Sequence, residues 1–389
     1  MTTLLGFLGV LAALLVAAFA ARAAGQRTSN AYLRDMTFAG AFGWMLLLAA
    51  LAGGVYLYAF VDGAVFFRWA VQFFAVAAVA AFLFRLAGRS VGTEATKKGF
   101  RQMPLTASFG LLTILLYALT AILAPLLAPY GQSEVVGTVN MLPGGDPATG
   151  GDPAHPLGTD QIGRDLLSRL IYGAQNTVGI AFATTCIAFF VGGALGFLAA
   201  TIGGWFDNIL SRAVDVLMAI PSLIFALLLM TIASAWAGNQ QWQLTLYMIF
   251  IIALIDSTRV FRLARAVGQN IVVMDYIEAA KLRGEGLSYL IFREILPNAT
   301  APLLAEFGLR FCFVFLTIAA LSFLGVGIQP PLADWGTMVR DLAQFINFAA
   351  FSPLAAALPL MAAGAIALLT VAVNFVVDWV LHRSSGLKD

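Results

Sequence analysis

The stretch DYIEAAKLRGEGLSYLIFREILPN, residues 275–298, is the most polar long interval in the second half of the chain, and long uncharged runs flank it on both sides. It carries Asp275, Glu278, Lys281, Arg283, Glu285, Arg293 and Glu294. Good helix formers run from Tyr276 to Arg283, Gly284 and Gly286 interrupt them, and Leu287, Leu290, Ile291 and Ile295 then recur at helical spacing. That pattern predicts two short helices joined by a bend. Pro297 is expected to stop the second helix, with Asn298 or Thr300 capping a new one that runs into apolar sequence. Taken by its residues alone, the segment is an amphipathic elbow that meets water between membrane spans.

The rest of the chain sets the solvent for that elbow. Of 389 residues, 61% are hydrophobic and only 11% charged, and the mean hydropathy is +0.89. These values lie far outside the balance of soluble domains and define an all-α, polytopic membrane protein embedded in a lipid bilayer. A net charge of +2 gives no basic field for nucleic acid. Cys186 and Cys312 sit inside apolar runs and read as packing residues. Histidine occurs only at His155 and His382, and neither an HExxH nor a GxSxG pattern is present, so no catalytic or metal constellation can be named. A GxxxxGK[ST] phosphate loop is also missing. No cofactor is expected in this chain, and any ATP and Mg that drive it must bind another polypeptide.

A spanning helix needs about 20 mostly apolar residues. On that measure the spans fall at 3–21, 36–61, 64–86, 105–127, 177–202, 212–237, 244–258, 300–328 and 353–380. The charge of the first span follows its apolar core, which favours an uncleaved span with its N-terminus outside over a cleaved signal peptide. Arg68 lies near the outer end of the third span, where its long side chain can snorkel to the interface. Arg85, Arg89, Lys97, Lys98 and Arg101 face a single Glu94 and form the clearest basic loop, which places it in the cytoplasm. Nine crossings then leave the C-terminus cytoplasmic, with the basic segments 22–34, 85–101 and 259–283 on one side. Pro221 is expected to kink the sixth span. The doubled Gly-Gly-Asp-Pro-Ala in the loop after Gly131 offers too few carboxylates for a metal.

Two features carry polar chemistry. Asp160 is expected to cap an interfacial helix bearing Leu166, Leu167, Leu170 and Ile171. Glu306 and Arg310, four apart within the eighth span, lie on one face and can pair. They are either a structural ion pair turned into the bundle or a polar lining that meets substrate, since a charge in the bilayer costs roughly 2.5–3.5 kcal/mol on insertion scales.

Beyond these readings, the order Glu278-Ala279-Ala280, Gly284, Ile295-Leu296-Pro297 resembles the EAA loop of the membrane subunits of binding-protein-dependent ABC importers. Glu294 stands where that family usually has His. The string HPLGTDQIGRDLLSRLIYGAQ, 155–175, resembles a signature of the dipeptide, oligopeptide and nickel permease group, with Gln175 in place of a frequent Arg. LSFLGVGIQPPLADWG, 321–336, is similar to another of its strings, while Asn374 and Asp378-Trp379 match its ending only faintly.

The resemblance covers about 105–378 and implies a type I ABC importer permease core of six spans, preceded here by three extra spans. It implies domains at 1–102 and 103–389, with a coupling loop at about 275–298. In that loop Tyr276, Glu278, Ala279, Ala280, Gly284, Leu296 and Pro297 would meet an ATPase. Asp160, Arg164, Asp165 and Trp335 would help dock an extracytoplasmic solute-binding protein. The implied partners are a homologous permease in a heterodimer, two ABC ATPase subunits and that binding protein, in a bacterial inner membrane. The implied solutes are peptides, with nickel chelates as the alternative. A secondary transporter would show inverted repeats, and a membrane enzyme a nucleophile, base or metal cluster; neither pattern stands out.

Overall fold

The computed structural model describes residues 65–91, 93–238 and 240–384, with scattered positions between 17 and 58. The spans expected at 3–21 and 36–61, and the basic segment 22–34, lie outside the continuously described residues. The chain divides into two compact units, Met1–Val76 and Ala77–Asp389. In the first, Arg68 Nε donates to the Tyr58 carbonyl at 2.8 Å, and the Phe66 and Trp69 rings meet edge to face.

Eleven helices follow in order among the described residues: α1 Val65–Ser90, α2 Glu94–Gln102, α3 Leu105–Leu127, α4 Leu166–Ile202, α5 Gly204–Met218, α6 Ser222–Ala237, α7 Gln241–Val272, α8 Asp275–Leu282, α9 Leu287–Phe323, α10 Trp335–Leu342 and α11 Pro353–Ser384. Six of them, α1, α3, α4, α7, α9 and α11, are long and apolar enough to cross a membrane, and the bent pair α5–α6 makes a seventh if it is one span. The architecture is an all-α polytopic bundle.

Close packing replaces the hydrophobic effect where lipid is the solvent, so small residues mark the seams. On α4, a Cβ added at Gly196 would stand 2.7 Å from the Phe261 carbonyl oxygen, and one at Gly192 2.8 Å from Val260 Cβ. On the facing helix α7, one at Gly268 would meet Ala200 Cβ at 2.8 Å. Along α3, Gly110 lies under the Ala372 carbonyl of α11, and the Tyr117 hydroxyl donates to the Ala365 carbonyl at 3.0 Å. Phe311, Phe315, Ile318 and Leu321 of α9 fill the centre with Met230, Met248, Leu358 and Leu369.

Five expectations are corrected. Asp160 caps no helix; Asp165 does, accepting from the Ser168 N–H. Leu166 faces the core of the bundle instead of the membrane surface. Pro221 does more than kink a span: α5 and α6 turn through 88° at the break, because proline supplies no N–H and forces the preceding residue out of helical geometry. Pro297 does not end a helix, since α9 runs through it. A π-turn over Leu290–Ile295 precedes it, and the wider turn gives the proline ring room that a regular α-turn would deny. The span expected at 244–258 also continues, to Val272.

Candidate functional site

The elbow is built from both of its faces. Helix α8 opens with Asp275 and Glu278 and has Lys281 in its last turn, which suits the helix dipole. Its end is a Schellman motif: the Glu285 N–H donates to the Ala280 carbonyl at 3.2 Å and the Gly284 N–H to the Lys281 carbonyl at 2.9 Å. Gly284 takes φ +80, a left-handed conformation that glycine adopts without strain. Ile277 and Ala280 point inward and are fully buried among Phe197 of α4, Ala264 and Ile271 of α7, and Ile295 and Ala299 of α9. Tyr276, Glu278 and Ala279 point outward, as does Leu282, 84% exposed. Gly284 and Pro297 are exposed and Leu296 half-buried. Of the residues expected in the coupling loop, Ala280 therefore belongs to the anchoring face and Tyr276, Glu278, Ala279 and Gly284 to the free face.

A second polar constellation joins the loop before α4 to the loop before α10. Asp165 Oδ1 lies 3.0 Å from His155 Nδ1, and its Oδ2 accepts from the Ser168 N–H and hydroxyl at 2.7 Å each. Asp160 accepts from Arg164 Nε at 2.7 Å and from the Ile162 and Arg164 N–H groups at 3.0 Å. Gln132 Oε1 accepts from Asn176 Nδ2 at 2.8 Å and from the Ala333 N–H at 3.0 Å. Asp334 caps α10 by accepting from the Thr337 N–H, and also takes the Thr177 hydroxyl at 2.9 Å. Complete burial pushes the Asp334 carboxyl well above the usual carboxylate range. Trp335 Nε1 donates to the Leu170 carbonyl at 2.9 Å, its ring lies against Gly173, where no side chain would fit, and it meets Tyr117 edge to face.

Asp160, Arg164, Asp165 and Trp335 are thus brought together at one end of the bundle, but all four are buried and bonded internally. They shape the surface from beneath. Sequence reasoning missed Gln132, Asn176, Thr177 and Asp334, which complete this network.

Within the bundle the Glu306–Arg310 pair forms: Arg310 Nε lies 2.7 Å from Glu306 Oε1, an ionic contact without hydrogen-bond alignment. It is half of a larger cluster. Asp256 of α7 stands 3.6 Å from Arg310 Nη1 and 3.4 Å from Arg259 Nη1, so the charges join α7 to α9. Arg310 also covers the Phe313 ring, 4.6 Å from its centroid. Asp256 Oδ2 is buried with no hydrogen-bond partner. Nearer the elbow, Arg265 of α7 grips Asp207 of α5 through both carboxylate oxygens.

Long apolar helices, an elbow anchored on three of them, and polar clusters between helices define a polytopic integral-membrane protein. Among the described residues no group of His, Cys, Asp and Glu is placed to hold a metal. Residues 192–385 match the family described as binding-protein-dependent transport system inner membrane component. The chain is 36% identical over 245 residues to the dipeptide transport system permease protein DppC of Haemophilus influenzae, covering 62% of this chain and 79% of that one. It is 38% identical over 245 residues to the DppC of Escherichia coli strain K12, 62% and 78% of the two chains. To the glutathione transport system permease protein GsiD of Pectobacterium atrosepticum it is 30% identical over 244 residues, 62% and 75%. The chain belongs to the binding-protein-dependent transport system inner membrane component family, within its dipeptide and oligopeptide permease group. Its class is that of a non-catalytic transport component.

Proposed function

We propose that this chain is the membrane permease subunit of an ATP-driven importer of small peptides. The relatives are named for dipeptides and glutathione, which favours peptides over nickel chelates. The subunit works in the inner membrane with a homologous permease as a heterodimer, two ABC ATPase subunits and an extracytoplasmic solute-binding protein. Three spans within 1–102 precede a six-span permease domain, 103–389, with the N-terminus outside and the C-terminus cytoplasmic.

One observation supports this reading above the others. The outer face of α8 is free while its inner face is locked through Ile277 and Ala280 into α4, α7 and α9. A push on Tyr276, Glu278, Ala279 and Gly284 from a nucleotide-driven partner therefore reaches three spanning helices at once. Leu296 and Pro297 carry that push along α9. At the opposite end the surface braced by Asp160, Arg164, Asp165 and Trp335 receives the binding protein. Such coupling needs contacts that differ between two states. Glu306 and Arg310, tied to Asp256, hold α7 and α9 together in the state described here and line the pathway once that contact opens.

Proteoliposomes holding both permeases, the ATPases and the binding protein test the assignment. Peptide uptake should require ATP, and a cysteine replacing Leu282 should cross-link to an ATPase subunit. Uptake by the permeases alone on an ion gradient would instead indicate a secondary transporter.

A further inference from the structure

A cluster of cations lies away from the elbow and outside the residues that the family match covers, apart from its last member. Arg85 and Arg89 stand near the end of α1, Lys97, Lys98 and Arg101 on α2, and Arg383 at the end of α11. The fold holds them together. Arg85 donates to the Phe100 and Arg101 carbonyls at 3.5 and 3.4 Å, tying α1 to α2. Phe100 packs over Gly88 and edge-on against Phe84. Gly99 of α2 is buried against α11, with Arg383 Nη1 3.6 Å from where a side chain would begin. The Arg383 guanidinium covers the Trp379 ring at 5.6 Å.

Among the described residues these six cations meet few carboxylates. On the same three helices Glu94 pairs with Lys97 at 3.1 Å, and Asp378 sits further along α11. Arg89 Nε is buried with no hydrogen-bond partner, an unmet donor that would be costly in isolation. Around the cluster the surface is apolar and open: Phe82, Leu83 and Leu86 of α1 and Leu105 of α3 are all exposed. The charges therefore stand where the apolar stretch of α1 ends and that of α3 begins, at the depth of lipid headgroups.

We infer that α1, α2 and the end of α11 form a binding site for an anionic phospholipid. The phosphate diester sits among Arg89, Lys98, Arg101 and Arg383, and its acyl chains lie along Phe82, Leu83 and Leu86. Arg89, whose Nε has no partner within the protein, turns its guanidinium toward a phosphate oxygen when the lipid binds. Both parts of the ligand match what the protein offers at one depth, which a soluble anion or an acidic protein segment would match only in charge. The site would fasten the segment preceding the permease core to the end of that core through a shared lipid.

The test uses the full chain purified in detergent, with lipid retention followed by native mass spectrometry and the unfolding midpoint followed on adding phosphatidylglycerol or phosphatidylcholine. Phosphatidylglycerol should be retained and raise the midpoint, and phosphatidylcholine should do neither. The exposed pair Lys98→Gln/Arg101→Gln should weaken phosphatidylglycerol retention about tenfold or more, with a native unfolding midpoint in its absence. Arg89→Gln should do the same if it folds, and the exposed pair decides if it does not. Equal retention of both lipids, or retention unchanged in the Lys98→Gln/Arg101→Gln variant, would overturn the inference. So would a midpoint shift reproduced by glycerol phosphate without acyl chains, or loss of the bound lipid when the ATPase subunits assemble on the chain.

Discussion

Gly284 offers a way to separate backbone geometry from steric contact in the elbow. A Cβ at this position would meet nothing within 4 Å, and the same holds at Gly286 two residues on. The two glycines differ in conformation: Gly284 has φ +80, whereas Gly286 has φ −79, which any residue adopts. An L-residue forced into the left-handed region costs roughly 1–2 kcal/mol, less for Asn. The cost falls on the two bonds that close α8, from Glu285 to Ala280 and from Gly284 to Lys281. Because every 1.4 kcal/mol is about tenfold in an equilibrium, Gly284→Ala should lower the closed-to-open ratio of the elbow about five- to thirtyfold. Gly284→Val should lower it further, since a β-branched residue is less tolerant of positive φ. Gly284→Asn should fall between Ala and wild type, and Gly286→Ser should be silent. The assay is the ATPase rate of the reconstituted importer with and without binding protein, beside the unfolding midpoint of the isolated subunit. Stimulation should drop in the order Asn, Ala, Val while the midpoint barely moves, because Ile277 and Ala280 keep their packing. A Val variant with normal stimulation, or an Asn variant as damaged as Val, would refute this account of the elbow.

The other predictions concern what holds the bundle. Gly196→Val pushes a side chain into the Phe261 carbonyl across the α4–α7 seam and should cost about 1–3 kcal/mol, seen as a lower unfolding midpoint; Gly193→Ala, with nothing within 4 Å, should leave it unchanged. Asp256→Ala strips Arg310 of its cross-helix carboxylate and leaves it Glu306 alone, so it should cost up to about 3 kcal/mol, less than a wholly unpaired buried charge would. The Asp256→Ala/Arg310→Met double variant should recover part of that loss, and strictly additive midpoint shifts would exclude the coupling. Asp334 has its folded pKa raised by burial, so the folded state binds the proton more tightly than the unfolded chain. Its contribution is fully present below the unfolded carboxylate value and is lost as pH rises through the raised one. Asp334→Asn should flatten that part of the profile of midpoint against pH, and an unaltered slope would count against the assignment.

How far the sequence reveals these features depends on how far apart the interacting residues lie. The bend after α8 is local: Gly284 and Gly286 interrupt good helix formers, and the terminal bonds of α8 span only a few residues, so the elbow can be read directly. Its division into a buried and a free face cannot, because Ile277 and Ala280 are buried by Phe197 and Ala264 from other helices. Asp160 and Asp165 show why a cap can be misassigned. Both precede the same apolar run, and only the tight turn that Asp160 makes with Ile162 and Arg164 leaves Asp165 at the helix start. The partners of Asn176 and Thr177 lie 157 residues away, and Gln132 and Ala333 are separated by 201. No periodicity signals such pairs. The π-turns at Ala174–Val178 and Leu290–Ile295 escape for another reason, since the residues that form them are ordinary helix formers.

The two ends of the bundle are fastened by different physics, and this bears on how it can move. At the end near Trp335, directional bonds from Asp165, Asp334, Gln132 and Asn176 fix the loops to α4 and α10. Buried bonds of this kind are costly to leave unmade, about 1–3 kcal/mol for each orphaned group, so that end resists rearrangement. At the elbow end the contacts of α8 are apolar and small, Ile277 and Ala280 on Ala264, Ile295 and Ala299. Apolar contacts are non-directional and can slide without orphaning a polar group. Between the ends stand the Asp256–Arg310 contact and the 88° break at α5–α6, the first able to switch partners with Arg259 or Glu306 and the second able to change angle without breaking a regular helix. A force applied at Glu278 should therefore displace the elbow-side halves of α4, α7 and α9 about a fixed opposite end. Cross-linking the loops around Gln132 and Ala333 should leave ATPase stimulation intact, whereas fixing α8 to α4 near Phe197 should abolish it.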